Sequence, residues 1–213
     1  CRSVCRERRC EMKKVIIFGD SITHGVDDVE RGGWASRLKT HLWNTWEETG
    51  EINIYDLGVD GDTISGVLER FDSEVASRVP DGIVFAIGLN DTVTFKDGSE
   101  LISVEQFERN YLTLIEKVKR IGAKVLCIGL TPVIEDRLQP YAMGRNQPYY
   151  HLKRVIDFEV TIMKLCERLN IPFVRVLDAV SVVTLEYDGL HPDAKGHQAI
   201  FEQIRDPLIS AFR

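Results

Sequence analysis

Four short polar blocks of this chain carry the kinds of groups that acyl transfer from an ester requires. Each of the first three follows a run of apolar residues that is typical of a buried strand. Together they offer a hydroxyl, backbone N–H groups next to glycine, a carboxamide, and an imidazole preceded by a carboxylate. Such groups can act as nucleophile, oxyanion donors and base. The blocks are Gly19-Asp20-Ser21, Gly58-Val59-Asp60-Gly61, Gly88-Leu89-Asn90-Asp91 and Asp188-Gly189-Leu190-His191.

Ser21 is the candidate nucleophile, and His191 is the candidate base. A serine hydroxyl is a weak nucleophile near neutral pH and needs a base within hydrogen-bond reach. Asp188, three residues before His191, can accept the Nδ1–H of the imidazole and so leave Nε2 free for the serine proton. Taken alone, Ser21 could instead cap a helix, and the Asp188 block could be an ordinary turn.

Gly61 and Asn90 are the candidate oxyanion donors. A glycine presents its backbone N–H without interference from a Cβ atom, and an asparagine supplies a side-chain NH₂ group. In isolation, Gly61 could be a turn glycine and Asn90 a helix cap. The histidines show no H-E-x-x-H pattern, and His191 and His197 form only a loose pair, so neither a metal nor a cofactor is expected.

Alternating strand and helix patterns predict the elements that must position these residues. The strand patterns are short and apolar, as in a parallel sheet covered on both faces. Repeated strand–helix units predict a three-layer α/β domain, with the site beyond the carboxyl ends of the strands. The predicted strands are 14–18, 52–57, 82–87, 124–128 and 173–176, and the predicted helices are 34–46, 64–79, 104–120, 149–169 and 193–212, with Pro207 expected to kink or end the last.

Length and charge bound the possible functions. A chain of 213 residues with 44% hydrophobic content is long enough for one domain with a sizeable core, here residues 12–213. Its net charge of −6 argues against nucleic acid as the main partner, because phosphate binding needs a basic surface. No run approaches the ~20 apolar residues of a membrane span, and no signal-peptide pattern is visible. These features predict a cytoplasmic protein that does not insert into membranes.

Residues 1–11 differ in composition from the rest of the chain. They hold three of the five cysteines and four arginines, and Met12 then resembles an ordinary start that leads into the first strand. We expect this leader to be vector-derived or disordered, with a short basic targeting arm as the alternative. The other two cysteines, Cys127 and Cys166, are expected to be small core residues in a reducing compartment.

Segment 131–148 is a long connection without clear periodicity. It contains Pro132, Pro140 and Pro148 together with Tyr141 and Met143. Long loops inside compact domains usually cover a site or are mobile. From its residues alone, this loop is equally consistent with a flap over the substrate and with a simple surface loop.

The four blocks, in this order, resemble those of the SGNH (GDSL-type) hydrolase family. The resemblance covers the chain from Met12 to about Ile204. It implies a flavodoxin-like, three-layer α/β/α fold with a five-stranded parallel sheet, and places segment 131–148 in the wall of the acyl pocket. It further implies Ser21, Asp188 and His191 as catalytic residues, with the Ser21 N–H, Gly61 and Asn90 as oxyanion donors. One position departs from the family: Asp56 stands where asparagine is frequent in the second block.

The resulting expectation is a metal-independent serine hydrolase that cleaves a small-molecule carboxylic ester through an acyl-enzyme. The small size of the fold favours short-chain or acetyl esters. An acyltransferase, or a lysophospholipase or thioesterase using the same site, is the alternative. A non-catalytic α/β binding module is a more remote one, because it would leave the joint occurrence of all four blocks unexplained.

Overall fold

The computed structural model describes residues 12–213, which form one parallel five-stranded sheet with helices on both faces. All strand pairs are parallel, and the strand order is β2-β1-β3-β4-β5. This is the flavodoxin-like order, so the predicted fold class is confirmed. The strands are β1 (Lys13–Gly19), β2 (Ile52–Gly58), β3 (Gly82–Ala86), β4 (Lys124–Ile128) and β5 (Phe173–Val174).

The central strands are buried on both faces, which explains their continuous apolar runs. Val15, Ile16, Ile17 and Phe18 of β1 are all fully buried. The register aligns the carboxyl ends of the three strands that precede the polar blocks. Gly19 of β1 pairs with Gly58 of β2 on one side and with Ala86 of β3 on the other. The loops after these strands therefore start side by side at one edge of the sheet.

The helices form the two outer layers. The helices are α1 (Ser21–His24), α2 (Gly33–Asn44), α3 (Trp46–Thr49), α4 (Ile64–Arg78), α5 (Val104–Arg120), α6 (Leu152–Leu169) and α7 (Ala194–Phe212). Helices α2 and α7 pack together on one face, and α4, α5 and α6 cover the other. The buried apolar side chains of the described residues form one continuous cluster around the sheet. No helix among residues 12–213 is long and apolar enough to cross a membrane.

Several boundaries differ from the sequence-based predictions. The helix predicted over 34–46 ends at Asn44, and a separate short helix follows, because Thr45 leaves the helical conformation with φ −119°. Helix α6 begins only at Leu152, since Tyr149 pairs with Thr94 in an isolated bridge. Strand β5 has two residues rather than four. Helix α7 runs through Pro207 to Phe212, so the proline does not end it; the buried Leu208 and Phe212 anchor the last turns. The prediction for the leader falls on residues 1–11, outside the described residues.

Candidate active site

Ser21 is the first residue of α1 and is separated from the end of β1 only by Asp20. Asp20 caps the helix by accepting a hydrogen bond from the Ile22 N–H at 3.0 Å. Backbone N–H groups in the first turn of a helix have no partner within the helix, so the N–H of Ser21 can serve a ligand. Gly19 is needed for close packing here, because a Cβ atom at this position would lie 2.4 Å from the Thr23 Cβ.

Ser21, His191 and Asp188 form one hydrogen-bonded line. The Oγ of Ser21 lies 2.8 Å from Nε2 of His191, and Nδ1 of His191 lies 2.6 Å from Oδ2 of Asp188. The other carboxylate oxygen of Asp188 accepts the backbone N–H groups of Leu190 at 2.7 Å and His191 at 2.8 Å. All three side chains are buried. The tight turn from Asp188 to His191 thus fixes both the carboxylate and the imidazole that it faces.

The electrostatics of the pair favour a charged imidazolium on His191. Burial alone would raise the pKa of Asp188, but hydrogen bonds from the His191 side chain and from two backbone N–H groups lower it to about 2. Burial alone would lower the pKa of His191, yet the hydrogen bond and charge of Asp188, with the nearby Asp27 and Asp20, raise it above its ordinary value. Asp188 therefore stays ionised and stabilises a proton on His191.

Asn90 follows β3 and is held by two hydrogen bonds. Its Nδ2 donates to the backbone carbonyl of Asp62 at 2.9 Å, and its Oδ1 accepts from the Tyr150 hydroxyl at 2.9 Å. The second N–H of the amide remains for a ligand. Asn90 opens a short 3-10 turn that ends at Thr92, so the amide stands just past the strand end.

Gly61 lies in the loop after β2, in the left-handed conformation. Its φ is +74°, and no atom lies within 4 Å of where a Cβ would stand, so the backbone conformation rather than crowding favours glycine. Asp62 anchors this loop by accepting from Arg70 Nη2 at 2.7 Å. Asp56, which departs from the family pattern, accepts from the Gly58 N–H at 2.9 Å and so supports the start of the loop.

An open cavity of about 700 Å³ brings these groups together. Ser21, Gly61, Asn90 and His191 line it, while Asp188 lies behind His191. The same cavity has apolar walls from two loops, the segment after β3 and segment 131–148. The apolar wall residues are Val93, Phe95, Leu101, Met143 and Pro148. The structure thus brings all the sequence-predicted site residues to one place and makes segment 131–148 part of the cavity wall.

Three further residues lie in or next to the site, and sequence reasoning assigned none of them a role there. Tyr141 donates to Oδ2 of Asp188 at 3.0 Å, and Tyr150 contacts Asn90. Asp27, in the loop after α1, adopts a positive φ of 68°. Ligand atoms of Asp27, Asp188 and His191 lie within 4.8 Å of one another. The tyrosines could have been suspected because they lie in or next to the long loop. No sequence pattern pointed to Asp27.

The group of Asp27, Asp188 and His191 has the residue types of a metal site, but the carboxylate of Asp188 is already committed to other donors. Asp188 accepts two backbone N–H groups on Oδ1, and the His191 Nδ1–H and the Tyr141 hydroxyl on Oδ2. A carboxylate with four donors has little capacity left for an ion. The arrangement suits a hydrogen-bonded acid–base pair better than a metal centre.

Comparison with known proteins places this chain in a family. Residues 17–199 match the GDSL-like Lipase/Acylhydrolase family. The uncharacterized lipoprotein YqeF of Bacillus subtilis (strain 168) is 29% identical over 92% of this chain and 89% of that protein. An acetylxylan esterase of Geobacillus stearothermophilus is 22% identical over 88% of this chain and 90% of its own length.

A solved structure agrees with this assignment at the level of the fold. The lipase/acylhydrolase from Enterococcus faecalis superimposes with a TM-score of 0.74 at 24% identity, covering 95% of this chain and 98% of that one. The family match spans most of the chain and includes Ser21, Gly61, Asn90, Asp188 and His191. The chain therefore belongs to the GDSL-like lipase/acylhydrolase family, as an enzyme that hydrolyses esters.

Proposed function

We propose that this enzyme cleaves carboxylic esters of short acyl groups through an acyl-enzyme on Ser21. The observation that carries the proposal is the line from Ser21 Oγ through His191 to Asp188, with contacts of 2.8 and 2.6 Å, in which Ser21 and His191 line an open cavity. A nucleophile bonded to a base that is itself oriented by a carboxylate is the arrangement that activates a serine.

The first half of the reaction forms the acyl-enzyme. Ser21 Oγ attacks the ester carbonyl while His191 Nε2 takes the hydroxyl proton, and the carbonyl oxygen becomes an oxyanion. The N–H groups of Ser21 and Gly61 and the amide of Asn90 stabilise that oxyanion. The C–O bond to the alcohol then breaks, and the imidazolium of His191 gives its proton to the leaving alkoxide. Asp188 stays ionised throughout and stabilises the imidazolium.

The second half releases the acid. Water loses a proton to His191 as it attacks the acyl carbonyl, and the same donors hold the second oxyanion. Collapse of this intermediate breaks the bond to Ser21 Oγ, which recovers the proton from His191. The enzyme returns to its starting state, and no metal or cofactor takes part in either half.

The cavity has room for a small-molecule ester, and the name of one relative favours a short acyl group. Pockets for small ligands occupy roughly 300–1,000 Å³, and the cavity of about 700 Å³ has to hold both the acyl and the alcohol parts of the ester. One relative is named an acetylxylan esterase, an enzyme on an acetylated substrate. We therefore favour acetyl or other short-chain esters over long-chain lipids.

A series of p-nitrophenyl esters from acetate to decanoate, with Ser21→Ala in parallel, tests both parts of the proposal. We expect kcat/KM to be highest at acetate or butyrate and to vanish in the variant. A maximum at octanoate or decanoate would refute the short-chain preference and point to a lysophospholipase or thioesterase. Turnover that rises on addition of an alcohol acceptor would instead indicate an acyltransferase. Equal activity of both proteins would refute the serine mechanism.

The cellular location stays a prediction. The sequence predicts a cytoplasmic enzyme, whereas one relative carries the name of a lipoprotein. Fractionation of cells that express the full-length natural protein would distinguish the two, because a lipid-anchored form partitions with the membranes.

A further inference from the structure

Tyr150 contacts the oxyanion amide from a buried position. It is 3% exposed, and its hydroxyl donates to Oδ1 of Asn90 at 2.9 Å. On the other side, Nδ2 of Asn90 donates to the carbonyl oxygen of Asp62 at 2.9 Å. If the amide were reversed, its oxygen would face the Asp62 carbonyl, and two acceptors would repel each other. The two contacts therefore fix one orientation of the Asn90 amide, in which its remaining N–H is available to a ligand in the cavity.

Tyr141 contacts the opposite end of the machinery. Its hydroxyl donates to Oδ2 of Asp188 at 3.0 Å, the same oxygen that accepts the Nδ1–H of His191 at 2.6 Å. The ring of Tyr141 also lies against the imidazole, with centroids 6.5 Å apart. Because burial and the charge of Asp188 raise the pKa of Tyr141 well above its usual value, its hydroxyl keeps its proton and acts as a donor.

The two tyrosines contact each other and are fixed by the same loop. Their rings meet edge to face with centroids 6.2 Å apart. The backbone N–H of Tyr141 donates to the carbonyl of Pro148 at 2.7 Å, and the Gln139 side chain donates to the carbonyl of Tyr150 at 2.8 Å. The loop after β4 thus holds both hydroxyls in place, that of Tyr141 at Asp188 and that of Tyr150 at Asn90.

We propose that Tyr141 and Tyr150 form a tyrosine brace that positions Asp188 and Asn90, respectively, and so makes the wall of the cavity part of the catalytic machinery. The brace rests on the proposed function. The two tyrosines act as positioning residues: their hydroxyls hold other side chains in place, and they need not touch the reacting atoms.

Tyr150→Phe removes one hydroxyl and keeps the ring. Without that donor the Asn90 amide can rotate, so the oxyanion loses part of its stabilisation in the transition state. We expect kcat to fall by about 10- to 100-fold with KM within about twofold, a smaller loss than removal of the amide itself. In an Asn90→Ala background the same change should have no further effect, because the residue that it positions is gone.

Tyr141→Phe is expected to change the pH profile. Without this donor the negative charge of Asp188 Oδ2 is less neutralised, so it stabilises the imidazolium more strongly and raises the pKa of His191. The other charged or titratable groups that act on His191 are Asp27, Asp20 and His197, and the substitution leaves all three in place. We expect the inflection of kcat/KM to move upward by about half a pH unit.

Tyr149→Phe is the matched control. Tyr149 precedes Tyr150, and its hydroxyl makes no hydrogen bond to any of residues 12–213. This variant should keep the wild-type kcat and pH profile, and all three variants should unfold within a few degrees of the wild type. The brace would be overturned if Tyr150→Phe kept a kcat within twofold of wild type, or if Tyr150→Phe lowered kcat by the same factor in the Asn90→Ala background as in the wild type. A pH profile of Tyr141→Phe that matches the wild type would also overturn it. A wild type without Ser21-dependent turnover would remove the proposed function and the brace with it.

Discussion

At the scale of single residues, the site depends on how a few side chains alter one another's protonation. Asp188 is held ionised by four donors, and its charge in turn favours a proton on His191. His191 contacts Ser21 through the nitrogen that Asp188 leaves free. In the proposed reaction, the base and its carboxylate are already aligned to activate the weakly nucleophilic hydroxyl of Ser21.

The pH dependence of the reaction follows from the raised pKa of His191. As base, His191 must be neutral, so kcat/KM should rise with pH and level off once the imidazole is deprotonated. Since Asp188 raises the pKa, the inflection should lie above the ordinary value of about 6.5. Initial rates on one ester from about pH 5 to 9 measure it. A flat profile over this range would argue against His191 as base.

Asn90→Ala removes one oxyanion donor and leaves the triad intact. We expect kcat to fall by about 10²–10³, which is the usual effect of losing one such donor. Steady-state kinetics on the best p-nitrophenyl ester measure this effect. A fall of less than about threefold would mean that Asn90 is not an oxyanion donor.

At the scale of elements, three strand ends and one turn bring these residues together. The pairing of Gly19 with Gly58 and Ala86 makes adjacent strands end level, so the loops that carry Ser21, Gly61 and Asn90 begin at the same edge. The loop after β2 is then fixed at its far end, where Asp91 accepts the Ile64 N–H at 3.0 Å. The blocks are short because the strand ends already do most of the positioning.

The loop glycine Gly61 allows a direct test at this scale, with Gly122 as its control. Both have a φ of +74° and no atom within 4 Å of a Cβ position. Alanine at either position should therefore lower the free energy of unfolding by the same roughly 1–2 kcal/mol. Only Gly61→Ala should also lower kcat, because strain there moves a proposed oxyanion N–H. Equal activity in the two variants would exclude Gly61 from that role.

The sequence predicted the elements and the placement of the polar blocks better than it predicted their surroundings. Apolar strands ending in glycine are local patterns, so β1 and the Ser21 block could be read directly. The end of α2 at Asn44 and the start of α6 at Leu152 depend on distant partners such as the bridge from Thr94 to Tyr149, which no local pattern encodes. The contacts of Tyr141 and Tyr150 were unpredictable for the same reason, because a loop without periodicity gives no side-chain direction.

At the scale of the whole molecule, the polar edge of the sheet has a cost in stability. Asp91 is fully buried, and burial raises its pKa to about 7, while burial raises the pKa of Asp20 to about 6. An acid whose pKa is higher in the folded than in the unfolded state weakens folding as it ionises. The enzyme thus keeps the carboxyl group that caps α1 and the one that accepts the first N–H of α4 at the expense of stability near neutral pH.

Asp91→Asn should reverse this effect in a pH-dependent way. Below pH 3.8 the Asp91 carboxyl is protonated in both the folded and the unfolded wild type, so the substitution brings no pH-linked gain in the free energy of unfolding. Between 3.8 and about 7 the unfolded wild type releases the proton while the folded one retains it, so wild-type stability falls as pH rises. Asparagine cannot ionise and can still accept from the Ile64 N–H. Chemical denaturation across this range should show a gain that grows to the order of a few kcal/mol; a difference that does not vary with pH would contradict the account.

The most direct test of the central claim is to label the enzyme with a fluorophosphonate and locate the adduct by peptide mass spectrometry. Such reagents react with an activated serine and stop at a stable mimic of the acyl-enzyme. We predict a single adduct on Ser21, formed quickly in the wild type and lost in His191→Ala, since the base that activates the hydroxyl is then missing. An adduct on another residue, or labelling of Ser21 that does not depend on His191, would contradict the account.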